Sequence, residues 1–414
     1  MAGAPGVSVP FDNGFLAYGA AHPGTQMAIG VAALCAGDVP SRAELGLLLE
    51  AAASACPELA GPGGGAVFRP GRHLFESRAP EGSGTAGLYA ALDAVANEPL
   101  PGVMWGVWLV HGHAPGEFAV VLRGHHAHFD GLLIAQLCEL VVGARPAAVR
   151  PAPTAPPRPR PGAVVRDVAA VLRGLRDTAR PVAAAGTTEG RVRQVCAATG
   201  LEGMRRVAAV HGGTVNDVHL AALAGALAAW ETGPRWHGDP RPVRAKVPLG
   251  LRRPGTAERL GTRISAGWLT LPCDTADPVE RLRRVAADSG RLRARLTDPG
   301  TGALMRALSP RMRRLVLDAD NHPRRTSLVA THVPGPARPL SVAGRDVTGI
   351  VPLMFLASGQ RLSVCLATYA GTAYFSVTAD TGVTGLDRLP GCWLAEIGRL
   401  ATVSGRPGRT PRQG

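Results

Sequence analysis

The chain has 414 residues, 46% hydrophobic and 18% charged, which is enough to bury a large interior, excludes disorder of the whole chain and points to two domains. Its 45 Lys+Arg against 31 Asp+Glu give a formal charge of +14, yet Lys246 is the sole lysine, so the positive charge is almost all arginine. The arginines are scattered, aromatics are only 4%, and no finger, recognition-helix or RNA-sheet signature is present, which argues against nucleic acid as a partner.

The plain reading of the charge is an arginine-rich solvated surface, with attraction to an anionic ligand or acidic membrane surface open beside it. The seven cysteines contain no Cys-x-x-Cys and are odd in number. That spacing implies neither a disulfide framework nor a zinc site and suits a reducing cytosol. No basic-then-apolar leader and no run of about 18 apolar residues is seen. A cytoplasmic protein is expected, with peripheral contact to the inner face of the membrane or a lipid droplet left open.

In chain order, Met27–Leu34 reads as a strand and Arg42–Ala55 as a helix. Met104–Val110 and Phe118–Leu122 read as a hairpin across residues 113–117. Residues 145–162, rich in proline and arginine, read as an extended linker. A basic amphipathic helix follows, with Val164, Val165, Val168, Val171, Leu172 and Leu175 at helical spacing among Arg166, Arg173, Arg176 and Arg180. Residues 200–210 read as a helix broken at Gly212-Gly213. Thr214 then caps a further helix to about Trp230, with Asp217 near its free N–H groups. Strands are expected at Val243–Leu249, Ser265–Leu271, Ser327–Thr331, Leu362–Tyr369 and Ala373–Thr378, the last two joined as a hairpin. Residues 280–296 read as an arginine-rich helix, and the tail after Ser404 as disordered. The expected division is 1–144, a linker and basic helix over 145–185, a second half over 186–403, and a tail over 404–414. Each half mixes α and β elements.

The chemistry concentrates at His125-His126-Ala127-His128-Phe129-Asp130-Gly131, between an apolar strand and an apolar run that opens a helix. A histidine there can act as a general base near neutral pH. On a continuing strand, His126 and His128 would share one face and His125 the other. A metal site would need a further ligand and a supporting shell that the sequence does not offer, so no metal is expected. No Gly-x-Ser-x-Gly elbow, Walker loop or dinucleotide fingerprint is present. Without a nucleophile motif, a lone histidine base suits direct acyl transfer to a hydroxyl or amine.

The pattern of His125, His126, Asp130 and Gly131 resembles the CoA-dependent acyltransferase superfamily. This superfamily includes chloramphenicol acetyltransferase-like enzymes and peptide-synthetase condensation domains. The wider chain resembles one branch, the bacterial wax ester synthase/diacylglycerol acyltransferase family. The segments that carry this are Trp105-Gly106-Val107-Trp108, Thr214-Val215-Asn216-Asp217, Val247-Pro248-Leu249-Gly250-Leu251-Arg252, Leu260-Gly261-Thr262-Arg263-Ile264-Ser265, Thr331-His332-Val333-Pro334-Gly335-Pro336 and the hairpin from Tyr369 to Asp380. The resemblance runs from about Pro10 to about Leu400. It implies two chloramphenicol-acetyltransferase-like α/β domains around a central tunnel, with acyl-CoA as co-substrate and no bound cofactor. The implied product is a wax ester or triacylglycerol, made from an alcohol or diacylglycerol acceptor. A stand-alone condensation enzyme of secondary metabolism, using another acceptor or a carrier-protein donor, is the alternative.

By the same resemblance His126 is the base, His125 and His128 are supporting residues, and Gly131 permits a tight turn. Asp130 would be a brace, with Arg263 as its candidate partner. Asn216 is either a helix-start residue or a channel-lining one, and Thr331 is a candidate oxyanion donor. The chain departs from the family's usual residues at Gly106, Thr262, Thr331 and His332, and at Ala127-His128-Phe129 inside the motif.

Overall fold

The computed structural model describes residues 12–55, 68–100, 104–127, 129, 162, 178–183, 188–231, 239, 241–250, 264–297 and 308–404. The expected linker and basic helix fall almost wholly outside these residues, as does the tail after Ser404.

Two six-stranded sheets organise the chain. The first takes β1 (Ala28–Ala36), β2 (Leu74–Arg78), β3 (Trp105–His111) and β4 (Glu117–His125) from the N-terminal part. It takes β9 (Ser341–Val342) and β10 (Arg345–Leu353) from far along the chain, in the order β2-β3-β4-β1-β10-β9. The second is ordered β5-β12-β11-β8-β6-β7. It is built from β5 (Val192–Gly200), β6 (Val243–Gly250), β7 (Ile264–Leu271), β8 (Leu328–Pro334), β11 (Leu362–Tyr369) and β12 (Thr372–Asp380). The sheets are mixed: β2 runs parallel to β3, and β8 parallel to both β6 and β11, while the other pairs are antiparallel.

The expected β3–β4 hairpin is present, with His111 opposite Phe118. In the β11–β12 hairpin, Ala370 (φ 44°) and Gly371 (φ 82°) both lie in the left-handed region. Two such residues in a two-residue loop suit the right-handed twist of the paired strands.

Around the first sheet lie α1 (Asp12–Ala21), α2 (Arg42–Ala55), the short α3 (Pro70–His73) and α4 (Gly84–Asn97). Leu45, Leu49 and Ala53 of α2 pack with Ile29, Val31, Val107 and Leu122 on one face. Leu88, Leu92 and Val95 of α4 pack with Ala32, Trp108, Val110 and Val121 on the other. Both faces are therefore buried, and the strands read as near-continuous apolar runs.

The second sheet is covered on one face by α5 (Leu201–Val210), α6 (Val215–Trp230), α7 (Pro278–Leu296) and α9 (Leu389–Ser404). The expected capping box is formed: Thr214 Oγ1 accepts from the Asp217 backbone at 3.2 Å, and the Asp217 carboxylate accepts from the Thr214 backbone at 2.8 Å. Asp217 is fully buried and also receives the Ser289 hydroxyl and Arg293, so the start of α6 is tied to α7. On α7, Asp277 caps the first turn, Pro278 opens it, and Arg293 and Arg295 sit in the last turn, where cations meet the negative end of the helix dipole.

The opposite face of this sheet is small and polar. Gln194 and Cys196 of β5, Ser376 and Thr378 of β12, and Ser363 and Cys365 of β11 share it, because they alternate with the apolar residues that face the helices. This face meets the first half. The Ser376 hydroxyl donates to the Pro352 carbonyl at 2.8 Å, and the Met354 N–H donates to Thr378 Oγ1 at 3.2 Å. Beside it, α4 bonds directly to the edge of β5. Asp93 accepts from the Gln194 N–H at 2.7 Å, and the Asn97 amide pairs with both backbone groups of Val192. A helix thus closes a strand edge that would otherwise leave its backbone unpaired. Burial raises the Asp93 carboxyl to about 7, against the lowering effect of that N–H and of Arg193.

Not every arginine is solvated as the composition implied. Arg123 (2% exposed), Arg244 (6%) and Arg281 (3%) are buried. Arg281 pairs with Glu396 of α9, itself buried. Arg123 donates to the Glu98 and Ala96 carbonyls at 2.9 and 3.0 Å, satisfying groups at the end of α4, and burial lowers its guanidinium to about 10. No described helix is long and apolar enough to cross a membrane.

Candidate active site

Strand β4 ends at His125, and His126 and Ala127 turn away from it. Strand alternation therefore does not govern where His126 points, contrary to the expectation of a continuing strand. The turn is pinned at both ends: the His125 N–H donates to the Met104 carbonyl at 2.8 Å and the His126 N–H to the Met27 carbonyl at 2.7 Å. The His125 ring accepts from the Ala127 N–H at 3.1 Å, so it braces the turn from within.

The His126 ring lies 2.8 Å, through Nδ1, from the Phe129 carbonyl. A carbonyl oxygen only accepts, so Nδ1 carries the proton and the lone pair sits on Nε2. Gly124 makes this possible: a Cβ there would come within 2.5 Å of the Phe129 ring, which lies across the strand in the space a side chain would fill. Two phenyl rings lean on the imidazole. Phe15 of α1 stacks on it at 4.7 Å and 29°, and Phe355 approaches at 5.5 Å and 54°. Around them Phe15, Tyr18, Met27, Ala127, Leu317 and Ala357 form one buried apolar cluster.

This cluster draws on both halves of the chain. Leu317 belongs to α8 (Pro310–Asn321), which packs against α1. The His22 ring bonds to the Asp318 carboxylate at 2.8 Å, and the Ser358 N–H donates to the Tyr18 hydroxyl at 3.0 Å. Phe355 lies on the connection by which the chain passes from β10 in the first sheet to β11 in the second. The sequence carries no periodic or motif signal for Phe15 or Phe355 as neighbours of His126.

The other expected site residues are placed less centrally. Thr331 is half-buried on β8, on the face opposite Leu328 and Ala330, which point into the helix-covered core. It therefore shares the face turned toward the first half. Asn216 is half-buried in the first turn of α6, in the helical layer beyond the second sheet. No described contact joins it to His126. His128, Asp130, Gly131 and Arg263 lie outside the described residues. Among the described residues no group of three or more His, Cys, Asp or Glu side chains is disposed to hold a metal ion.

Two mixed sheets, joined by a crossing strand and with a histidine turn at their junction, define the class. The structure matches a condensation domain, the starter domain of rhizomide synthetase solved with C8-CoA and Leu-SNAC, at a TM-score of 0.63 and 14% identity over 95% of this chain and 93% of that one. It also matches the wax ester synthase/diacylglycerol acyltransferase from Marinobacter aquaeolei VT8, with a TM-score of 0.63 and 18% identity over 96% and 99% of the two chains. The fold is thus that of the chloramphenicol-acetyltransferase-like enzymes.

The sequence narrows this further. Residues 67–200 match the wax ester synthase/diacylglycerol acyltransferase catalytic domain, and residues 260–400 match the C-terminal domain of the same family. A probable diacylglycerol O-acyltransferase of Mycobacterium tuberculosis is 26% identical over 400 residues, covering 84% of this chain and 82% of its own length. A second from the same species is 28% identical over 333 residues, covering 69% and 71%. The chain belongs to the wax ester synthase/diacylglycerol acyltransferase family, and it is an acyltransferase.

Proposed function

We propose that the protein transfers an acyl group from acyl-CoA to an alcohol or diacylglycerol hydroxyl, with His126 as general base. The observation that carries this reading is the His126 Nδ1–Phe129 carbonyl bond, which selects the tautomer with a basic Nε2. Nε2 takes the proton of the acceptor hydroxyl as its oxygen attacks the thioester carbonyl. The tetrahedral intermediate then collapses with loss of the CoA thiolate, and the imidazolium returns the proton to that sulfur. The apolar cluster around the ring limits water, which would otherwise compete as acceptor.

In the same proposal Thr331 donates to the intermediate's oxyanion, and Asp130 braces the motif with Arg263 as its partner. His125 braces the turn, Gly131 permits its exit, and Asn216 serves as a helix-start residue. The acyl-CoA donor is supported by the C8-CoA bound to the rhizomide condensation domain, and the acceptor by the names of the mycobacterial relatives. Peripheral contact with a membrane or lipid droplet goes with such water-insoluble acceptors.

The test is thiol release from acyl-CoAs with fatty alcohols, diacylglycerol and polar hydroxyl or amine acceptors, with product masses recorded. Purified His126→Ala should release no thiol while keeping the wild-type circular dichroism spectrum. Wild-type turnover by that variant would remove His126 from the mechanism. Product formed only from an acyl carrier protein, with none from any acyl-CoA, would overturn the donor assignment in favour of a condensation-type enzyme.

A further inference from the structure

The ring of Phe355, which approaches His126, is half-buried. Phe15, which stacks on the imidazole, is 7% exposed. Phe355 packs against both the cluster at His126 and the core beneath the first sheet, yet leaves part of its face uncovered.

The backbone that carries it is held firmly. Met354 is tied to Thr378 and Ser358 to Tyr18. The Gln360 amide donates to the Asn321 and Thr326 carbonyls at 2.8 and 2.9 Å. These bonds run to β12 of the second sheet, to α1 and to the end of α8, so the size of residue 355 can change while the frame around it stays put.

The part of an aromatic ring that its apolar neighbours leave uncovered offers nothing to a charged or hydrogen-bonding group; it fits an alkyl chain. The geometry of the reaction says which part of the chain reaches it. The attacked carbonyl must lie about 3–3.5 Å from the oxygen that His126 deprotonates. An acyl chain that leaves that carbonyl along a ring 5.5 Å from the imidazole has to pass the ring to extend further, so the bulk of the ring obstructs long chains and spares short ones.

We propose that Phe355 is a specificity-determining residue, a wall against which the acyl chain of the donor ends or bends, so that its size sets the preferred acyl length. This rests on the acyl-CoA reading above.

The experiment uses Phe355→Ala, which opens the wall, and Phe355→Trp, which extends it. Both are assayed with straight-chain donors from butyryl- to palmitoyl-CoA and separately with a series of alcohols. Dissociation constants for the same donors are measured by calorimetry in the His126→Ala background, where binding is read without turnover. The Ala variant should raise the long-over-short ratio of kcat/KM about tenfold or more and the Trp variant should lower it, because methylenes meeting a wall discriminate on that scale. The Kd series should move in the same directions.

A uniform loss at every donor length in both variants would overturn the proposal and leave Phe355 as a support for the His126 ring. A preference that moves with alcohol length alone would also overturn it. Wild-type protein that binds no acyl-CoA would overturn this inference and the donor reading together. A shifted Kd series without thiol release would overturn only the catalytic reading.

Discussion

His219 of α6 is fully buried, and among the described residues neither ring nitrogen has a hydrogen-bond partner. Its ring is flanked by Phe375 at 5.6 Å and Trp393 at 6.0 Å, and the imidazole of His332 lies close enough to add to its reluctance to charge. Burial, first, and then His332 lower its pKa to about 3. In the unfolded chain it titrates near 6.5. Below that value the unfolded state takes up a proton that the folded state refuses, so stability is intact above about pH 6.5 and falls as pH drops toward 3.

At about pH 4.5 the gap is worth about 3 kcal/mol, from about 1.4 kcal/mol for each pH step. His219→Leu removes the titration and both orphaned nitrogens. Relief of unsatisfied polar groups contributes about 1–3 kcal/mol, offset by a shape mismatch of up to about 1.5 kcal/mol. The variant should therefore gain about 1 kcal/mol at pH 7 and about 4 kcal/mol at about pH 4.5. Urea unfolding followed by circular dichroism at both pH values reads the two gains. His332, lowered to about 4 by burial, is present in both proteins and largely cancels in the difference. An equal gain at the two pH values would refute the idea that His219 is held neutral in the core.

Asp93 has the opposite sign: with its folded pKa near 7, the seam it makes loses stability as pH rises from about 4 to 7. Asp93→Asn keeps an acceptor for the Gln194 N–H and should abolish that limb, with a gain on the order of 2–4 kcal/mol above pH 7 in the same unfolding assay. Gly124→Ala would drive a methyl into Phe129, displacing the carbonyl that orients His126. Its kcat should fall roughly 100-fold with KM little changed, and wild-type kcat would show that the Phe129 carbonyl does not position the base. Glu396→Ala strands buried Arg281 and should cost about 3–5 kcal/mol, most of it recovered when Arg281→Met and Glu396→Leu are combined, as urea midpoints would show.

Elements that carry their own local signal were legible in the sequence. Strand β11 was legible from its largely apolar run, Val364 to Ala367 flanked by Leu362 and Tyr369. The start of α6 was legible because Thr214 and Asp217 are a local capping pair that does not depend on the rest of the fold. Strand β10 was not legible. Gly349 and Pro352 interrupt a stretch that is strand only because β1 pairs along it. The helix α4 begins at a glycine and is rich in alanine, and its apolar surface faces a sheet on one side while Asp93 and Asn97 serve β5 on another. Such a helix shows a blurred stripe.

At the site, the motif pointed to His126. The rings that enclose it come from residues 15 and 355, whose proximity exists only after both sheets have formed.

The pairing of β10 with β1 also constrains how the protein comes into being. Until the ribosome has released the chain through Leu353, β1 has β4 on one side and an open edge on the other. That edge is apolar and nine residues long, an invitation to pair with a neighbouring nascent chain. The first half is therefore a poor candidate for separate expression. Completion of its sheet, by residues synthesised long afterwards, is also the step that carries Phe355 to His126.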